Sequence, residues 1–294
     1  MSKRLSRIAL TTAMAATLGL SACTIGGGDE AATPSPTLDD GSSGNSSREA
    51  TAPGELPRKV IAAVEDVQEE YGGIAGVAVA TPGKDSNVAD TGEFTTGPAW
   101  STSKVPVSIA AVRQYGMTPQ VEAAITISDN DAAEATWYSL GDDATAGATT
   151  DEILREGGDE STVMGTDRVR EQYTVFGQTQ WDLDDQAVFG ANMQCIEAGP
   201  EVAELMGQIA DEQAYGLGHI PNAHFKGGWG PDDEGIYLVR QFGFIPGEKP
   251  GTFIGIAIAA QPDDGSYETG QEMLNDIAKA IADSDITAGR AGSC

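Results

Sequence analysis

Strand-like patterns occur in two groups far apart in the sequence, and this separation constrains the fold more than any other feature. Between them, from Ser101 to about residue 220, the apolar patterns are mostly helical. If both groups join one sheet, the helical segment must be inserted between strands of that sheet. We therefore predict a discontinuous α/β lobe and a helical lobe. The predicted strands are residues 74–80, 88–94, 223–229, 236–244 and 252–260.

Helical patterns at residues 56–71 and 270–282 flank the two strand groups. Gly72 and Gly73 end the first of these helices. The predicted domain organisation follows from this order. The α/β lobe comprises residues 55–98 and 221–285, the helical lobe residues 99–220, and a C-terminal tail residues 286–294.

The N-terminus reads as an export signal. Basic residues precede an apolar run at 8–20, and small residues follow, which is the order of a secretory signal peptide over residues 1–22. The sequence Leu20-Ser21-Ala22-Cys23 resembles the lipobox of bacterial lipoproteins. That resemblance implies that Cys23 is lipidated, becomes the mature N-terminus and anchors an extracytoplasmic domain to the cell membrane. The alternative is a soluble secreted protein.

Residues 23–54 are rich in Gly, Ser, Thr, Pro and acids, and we predict a flexible linker after the lipidated cysteine. The net charge of −28 excludes a nucleic-acid partner that would be held by phosphate neutralisation. Besides Cys23, the chain contains Cys195 and Cys294. In an exported domain we expect these two to form a disulfide, the alternative being a free Cys294.

The first chemical motif is Ser101-Thr102-Ser103-Lys104, at the start of an apolar helical pattern. Positions i and i+3 share a helix face, so the Lys104 amine can reach the Ser101 hydroxyl. An amine with a lowered pKa can remove the serine proton, and the helix N-terminus favours a developing oxyanion. The alternative reading is a serine N-cap followed by a solvated lysine.

Two further polar motifs follow in the same chain. Ser128-Asp129-Asn130 interrupts two apolar helical patterns, so this triplet faces a loop or cleft; the alternative is an ordinary capping loop. Lys226-Gly227-Gly228 lies on a predicted strand, where glycines let a substrate backbone approach the strand edge. The alternative is a bulged strand with an exposed lysine.

Together the three motifs resemble the Ser-x-x-Lys, Ser-Asp-Asn and Lys-Thr-Gly set of class A β-lactamases and penicillin-binding proteins. The run AAITISDNDAAEATWYSLG and the strand-turn-strand-strand-helix order after residue 224 extend the likeness to residues 55–285. The resemblance implies an α+β fold with three α/β/α layers. Its five-stranded antiparallel sheet is flanked by helices, beside a mostly helical lobe.

The resemblance also implies residue roles. Ser101 is expected to accept the acyl group, with Lys104 as its base or proton relay. Ser128 is expected to pass a proton to the leaving nitrogen, and Asn130 to orient Lys104 and the substrate amide. The substrate-binding strand comprises Lys226, which attracts a carboxylate, with Gly227, Gly228 and Trp229. The backbone N–H groups of Ser101 and Trp229 would form the oxyanion hole.

We add one expectation from the hairpin itself. If its turn is symmetric about Asp233, Arg240 lies across from Lys226 on the same sheet face, and the two side chains clamp a carboxylate. The alternative for Arg240 is a cross-strand partner for an acid.

Three departures separate this chain from the class A pattern. The segment between Ser101 and Ser128 is much shorter. Gly227 replaces a Thr or Ser whose hydroxyl helps to bind the carboxylate. No Glu-x-x-Leu-Asn motif supplies a base for deacylation, although Glu160 and Glu171 lie in the corresponding stretch. Without a positioned base, an acyl-enzyme forms faster than it is hydrolysed.

Two functional hypotheses follow. The first is a membrane-anchored serine hydrolase that forms an acyl-serine intermediate with β-lactam or cell-wall peptide substrates. The second is a catalytically degenerate lipoprotein of the same fold that acts in binding or envelope assembly. No metal-ligand spacing occurs and we expect no cofactor. No feature of the sequence specifies an oligomeric state.

Overall fold

The structure, a computed structural model, describes residues 55–294. The predicted signal peptide, Cys23 and the linker therefore lie outside the described residues. The described part of the chain contains seven strands. They are β1 (Ile74–Ala80), β2 (Val88–Gly92), β3 (Thr96–Pro98), β4 (Gln180–Asp182), β5 (His224–Pro231), β6 (Tyr237–Pro246) and β7 (Phe253–Gln261).

Five of these strands form one antiparallel sheet in the order β2-β1-β7-β6-β5. The early and late strand groups therefore join through the β1–β7 pair, in which Val77 lies opposite Ile258. This confirms the α+β fold with its five-stranded antiparallel sheet. Strand β5 is at an edge of the sheet. The short β3–β4 pair, which joins Thr96 to Asp182, is an element that the sequence did not predict.

The helices cover both faces of the sheet and form the helical part beside it. The α-helices are α1 (Arg58–Tyr71), α2 (Lys104–Tyr115), α3 (Pro119–Thr126), α4 (Asn130–Ser139), α5 (Asp143–Glu156), α6 (Leu183–Asn192), α7 (Gly199–Met206) and α8 (Tyr267–Ala282). None of the helices within residues 55–294 is long and apolar enough to cross a membrane.

Alternation along the central strands explains the layers. On one face of the sheet, branched side chains pack against α1 and α8, for example Val77 on β1 and Ile256 on β7 with Ile277 on α8. On the other face small residues allow α6 to lie close to the sheet. At Gly255 an added Cβ would lie only 2.1 Å from the carbonyl oxygen of Ala187 on α6.

The C-terminal residues are attached to the body of the domain. Cys294 forms a disulfide with Cys195, which ends a short 3-10 helix after α6. Gly292 pairs with Phe253 at the start of β7, and Ile286 is buried. The described chain thus ends packed against the sheet.

Candidate active site

A cavity of about 470 Å³ lies at the free edge of β5. Three residues of the first two motifs line it, namely Ser101, Ser128 and Asn130. Trp229 and Gly230 of β5 line it from the sheet side. The tertiary structure therefore brings the first two motifs to one cavity beside the predicted substrate-binding strand.

Ser101 lies in a 3-10 helix, Trp100–Ser103, immediately before α2. In 3-10 geometry residues i and i+3 eclipse one another, so Ser101 and Lys104 are on one side. Trp100 has a φ of 49°, which is strained for a residue with a side chain. The turn that precedes Ser101 is therefore held by its surroundings, as is common beside reactive groups.

Lys104 is 1% exposed. Its Nζ donates hydrogen bonds of 2.8 Å to Asn130 Oδ1, 2.6 Å to the Ser128 carbonyl and 3.2 Å to Ser128 Oγ. Within the described residues this amine makes no hydrogen bond to Ser101. Burial lowers the pKa of Lys104 to about 7, although nearby Asp129 opposes the shift. A substantial fraction of the amine is therefore neutral near pH 7 and can accept a proton.

The Ser128-Asp129-Asn130 triplet connects α3 to α4. Ser128 has a φ of 58°, and Asp129 caps α4 by accepting a 2.7 Å hydrogen bond from the backbone N–H of Ala132. The Asp129 carboxylate caps α4, whereas the two outer residues of the triplet, Ser128 and Asn130, line the cavity. The capping loop and the functional loop are thus the same segment.

Lys226 is fully buried beneath the cavity and does not line it. Its Nζ donates hydrogen bonds of 2.8 Å to Ser128 Oγ and 2.9 Å to the Gly227 carbonyl. Burial, followed by the charge of Lys104, lowers the pKa of Lys226 well below its ordinary value. The hydroxyl of Ser128 therefore lies between two buried amines.

Strand β5 comes very close to the helix that carries Ser101. At Gly228 an added Cβ would lie 2.9 Å from the backbone nitrogen of Ser101 and 2.8 Å from the Ala99 carbonyl, so only glycine fits there. Lys226 binds the carbonyl of Gly227, which therefore faces the site. Residues i and i+2 of a strand direct their backbone groups to the same side, so the N–H of Trp229 faces the site as well.

The prediction for Arg240 was wrong in register and in role. Asp232 holds the turn through hydrogen bonds from the N–H groups of Glu234 and Ile236, which centres the hairpin on Glu234. Arg240 consequently lies opposite Gly228, and Phe242 lies opposite Lys226.

The Arg240 side chain is fully buried, so it is not available to a substrate. Its guanidinium donates to Gln186 Oε1 at 2.8 Å and to the carbonyls of Gly97 at 2.8 Å and Trp181 at 3.0 Å. Burial lowers the pKa of Arg240 to about 9. Arg240 joins the β3–β4 pair to α6. It does not pair with an acid of the neighbouring strand, as the alternative reading proposed.

The opposite wall of the cavity was not predicted from the sequence. Arg168 donates a 2.9 Å hydrogen bond to Glu134 on α4, and both residues line the cavity together with Tyr173. Glu134 follows Asn130 by one helical turn, so its helical spacing is the signal that could have indicated it. Arg168 carries no comparable signal because its loop has no periodic pattern.

Arg170 attaches this loop to the β5–β6 hairpin. Its guanidinium donates to the carbonyls of Pro231 at 2.5 Å and Asp232 at 3.3 Å and lies 4.5 Å from the centre of the Tyr173 ring. The loop and the strand are thereby held on either side of the cavity.

Neither acid considered as a deacylating base is in the cavity lining, and Glu160 and Glu171 are both exposed. The carboxylates that do line the cavity are Asp131 and Glu134. No group of three or more His, Cys, Asp and Glu residues within residues 55–294 is arranged to hold a metal ion.

Similarity to solved structures identifies the fold. No family model matches the chain, and no curated protein matches it. Solved structures do match.

A class A β-lactamase from Bacteroides cellulosilyticus is 14% identical, with a TM-score of 0.61 over 77% of this chain and 96% of that chain. A β-lactamase from Chitinophaga pinensis is 12% identical, with a TM-score of 0.61 over 76% of this chain and 98% of that chain.

A single-residue mutant of PBP-A, solved as an acyl-enzyme complex with penicillin G, is 18% identical, with a TM-score of 0.57 over 78% of this chain and 96% of that chain. The fold that the motifs implied is therefore confirmed: the chain has the fold of class A β-lactamases and penicillin-binding proteins.

Proposed function

We propose that this protein is a membrane-anchored acyl-serine enzyme that reacts with β-lactams or cell-wall peptides through Ser101. One observation carries the proposal. The Ser128 hydroxyl lies between the amines of Lys104 at 3.2 Å and Lys226 at 2.8 Å, in the cavity that Ser101 also lines. Burial of two lysines beside one serine costs free energy. Such a cost is typical of sites in which the lysines take part in proton transfer.

The residues support the following acylation step. The Ser101 oxygen attacks the amide carbonyl carbon of the substrate while its proton passes to the neutral amine of Lys104. The oxyanion accepts hydrogen bonds from the N–H groups of Ser101 and Trp229. Ser128 then transfers a proton from the lysines to the leaving nitrogen, the C–N bond breaks, and an ester on Ser101 remains.

Asn130 has a positioning function in this scheme. Its Oδ1 accepts a hydrogen bond from Lys104, which holds the amine on the side of Ser128. Its amide nitrogen has no partner within the described residues and is free to bind a substrate carbonyl. PBP-A, which shares the fold, forms an acyl-enzyme with penicillin G in the mutant whose structure matches this chain, and this supports the choice of substrate class.

The second hypothesis, a degenerate binding protein, is favoured by one observation of its own. The carboxylate of Glu134 is bound to Arg168, and neither Glu160 nor Glu171 reaches the cavity. Neither of the two acids in the stretch that corresponds to the missing motif can therefore act as a base for a water molecule that attacks the ester. We accordingly expect slow release of the acyl group.

A labelling experiment separates the hypotheses. The full-length protein is incubated with fluorescent penicillin, and the covalent adduct is quantified for wild type, Ser101→Ala and Ser139→Ala, which changes an exposed serine outside the cavity. We expect labelling of wild type and Ser139→Ala and none of Ser101→Ala. Nitrocefin hydrolysis then distinguishes turnover from a stable adduct. Absence of a Ser101-dependent adduct would leave only the binding hypothesis.

A further inference from the structure

Three buried polar side chains form one chain of hydrogen bonds that ends at the turn carrying Ser101. Arg240, Gln186 and Thr102 are all fully buried. The Arg240 guanidinium donates to Gln186 Oε1 at 2.8 Å and 3.2 Å, and Gln186 Nε2 donates to Thr102 Oγ1 at 2.9 Å. The chain thus runs from strand β6 through helix α6 to the residue that follows Ser101.

Arg240 fixes the direction of every bond in this chain. A guanidinium has donors only, so the Gln186 oxygen has to face it and the Gln186 amide nitrogen has to face Thr102. Because that nitrogen also only donates, the Thr102 oxygen accepts, and its own proton is left for the carbonyl of Ala99, to which it donates. Gln186 therefore determines that the Thr102 hydroxyl binds Ala99.

The bond between Thr102 and Ala99 closes a strained turn. Trp100, which lies inside the turn, has a φ of 49°, a conformation that a residue with a side chain keeps only where its surroundings hold it. The hydroxyl of Ser103 donates to the Trp100 carbonyl at 2.7 Å and supports the same turn from within the 3-10 helix. Gln186 ties the turn to a different element, α6.

The orientation of Ser101 depends on this turn. Its N–H belongs to the same planar peptide group as the Trp100 carbonyl, and in a trans peptide the two groups point in opposite directions. A rotation at Trp100 would therefore turn the Ser101 N–H and displace the Ser101 hydroxyl. The proposed acylation uses both groups, and a misplacement of about 1 Å can lower such a rate about a hundredfold.

We propose that Gln186 is a positioning residue for Ser101, which acts through Thr102 to hold the strained turn at Trp100. This proposal rests on the function proposed above, because it names what orients the reactive serine of that site. Gln186 does not line the cavity, so it acts on the reaction only through the turn.

The substitution Gln186→Glu reverses the chain and keeps a partner for Arg240. The new carboxylate still accepts from Arg240, but it has no donor, so the Thr102 hydroxyl turns its proton toward the carboxylate and away from Ala99. Thr102→Val removes the hydroxyl at nearly unchanged volume, and Thr102→Ser keeps it. The matched control is Thr150→Val, which removes an equally buried hydroxyl that donates to a backbone carbonyl of α5.

The first measurement follows labelling by fluorescent penicillin at increasing concentrations, which separates the rate constant at saturation, the dissociation constant and the labelled fraction. We expect Gln186→Glu and Thr102→Val to lower the rate constant at saturation about tenfold to a hundredfold and to leave the other two quantities unchanged. Thr102→Ser and Thr150→Val should keep the wild-type rate constant. The double variant Gln186→Glu/Thr102→Val should be no slower than Thr102→Val alone, because both changes break one chain.

The second measurement observes the turn without acylation. The backbone N–H of Thr102 donates to the Ala99 carbonyl at 3.1 Å, and its hydrogen exchange can be followed by NMR. We expect this N–H to exchange about tenfold faster in Gln186→Glu than in wild type or in Thr150→Val.

Each outcome decides the proposal. A rate constant at saturation that Gln186→Glu leaves unchanged overturns it. A smaller labelled fraction with an unchanged rate constant shows that Gln186 supports folding only and overturns it as well, as do additive effects in the double variant. A wild-type protein that is not labelled refutes the proposed function instead, and the exchange of the Thr102 N–H then still decides whether Gln186 holds the turn.

Discussion

Lys226 donates a hydrogen bond of 2.8 Å to the hydroxyl of Ser128, although the two residues are 98 positions apart in the sequence. The bond joins the edge strand to the loop between α3 and α4. Lys104 reaches the same hydroxyl from the other side at 3.2 Å. A proton can therefore move between two amines through one serine, and the protonation state of these lysines controls the proposed chemistry.

We expect acylation of Ser101 to depend on pH through Lys104. Burial lowers the pKa of Lys104 to about 7, and only the neutral amine accepts the serine proton. The rate should therefore rise as the pH increases to about 7 and level off above it, with about a hundredfold difference between pH 5 and pH 9. The measurement is the rate of labelling by fluorescent penicillin. Lys104→Arg stays charged throughout and should be slow at every pH, whereas a flat wild-type profile would refute the assignment.

Ser128 combines a strained backbone with a hydroxyl at the centre of the site. Its φ of 58° suits glycine, so Ser128→Gly should unfold with a free energy about 1 kcal/mol higher than Ser128→Ala. Both variants lose the hydroxyl and should label at least about a hundredfold more slowly than wild type. Urea unfolding and penicillin labelling measure the two effects. Equal stability of the two variants would contradict the strain, and normal labelling would contradict the proton relay.

Arg240 should affect stability because its guanidinium is buried. Arg240→Met removes the buried donors that bind Gln186 Oε1 and the carbonyls of Gly97 and Trp181, so the free energy of unfolding should fall by about 3 kcal/mol or more. Arg240→Lys should also destabilise because one ammonium does not replace the planar fork. Arg58→Met, which changes an exposed arginine, is the control and should stay within about 0.5 kcal/mol.

Substitution of Cys23 tests the lipid anchor that the sequence predicts. Wild type should partition into the detergent phase after extraction with Triton X-114, and Cys23→Ser should move to the aqueous phase, because one lipidated cysteine carries the attachment. The double variant Cys195→Ser/Cys294→Ser removes the disulfide and should remain membrane-bound. Wild-type protein in the aqueous phase would indicate a soluble secreted protein instead.

Local patterns in the sequence were enough to predict the elements and the motifs. The continuous apolar runs of residues 74–80 and 252–260 predict strands within one or two residues of β1 and β7. The position of Ser101 and Lys104 before an apolar helix is also a local property. These predictions succeed because helical and strand periods relate residues that are only two to four positions apart.

The contacts of Arg240 and Tyr215 could not be predicted from such patterns. The face of Arg240 followed from strand alternation, but its partner depended on how Asp232 binds the turn, which shifted the register by two residues. Tyr215 is 12 residues from Gly227 in the sequence, and only packing places its hydroxyl beside that glycine. Neither position follows from a period.

The sequence by itself determined most of the secondary structure, the order of the three motifs and the chemical groups that they carry. Only the tertiary structure decided which of those groups meet. It directed the Lys104 amine to Ser128 and Asn130, placed Lys226 beneath the cavity, and assigned Arg240 to the support of the β3–β4 pair. The physical reason is that these contacts join residues far apart in the chain, so they depend on burial and on hydrogen bonds that exist only after the strands and helices have packed.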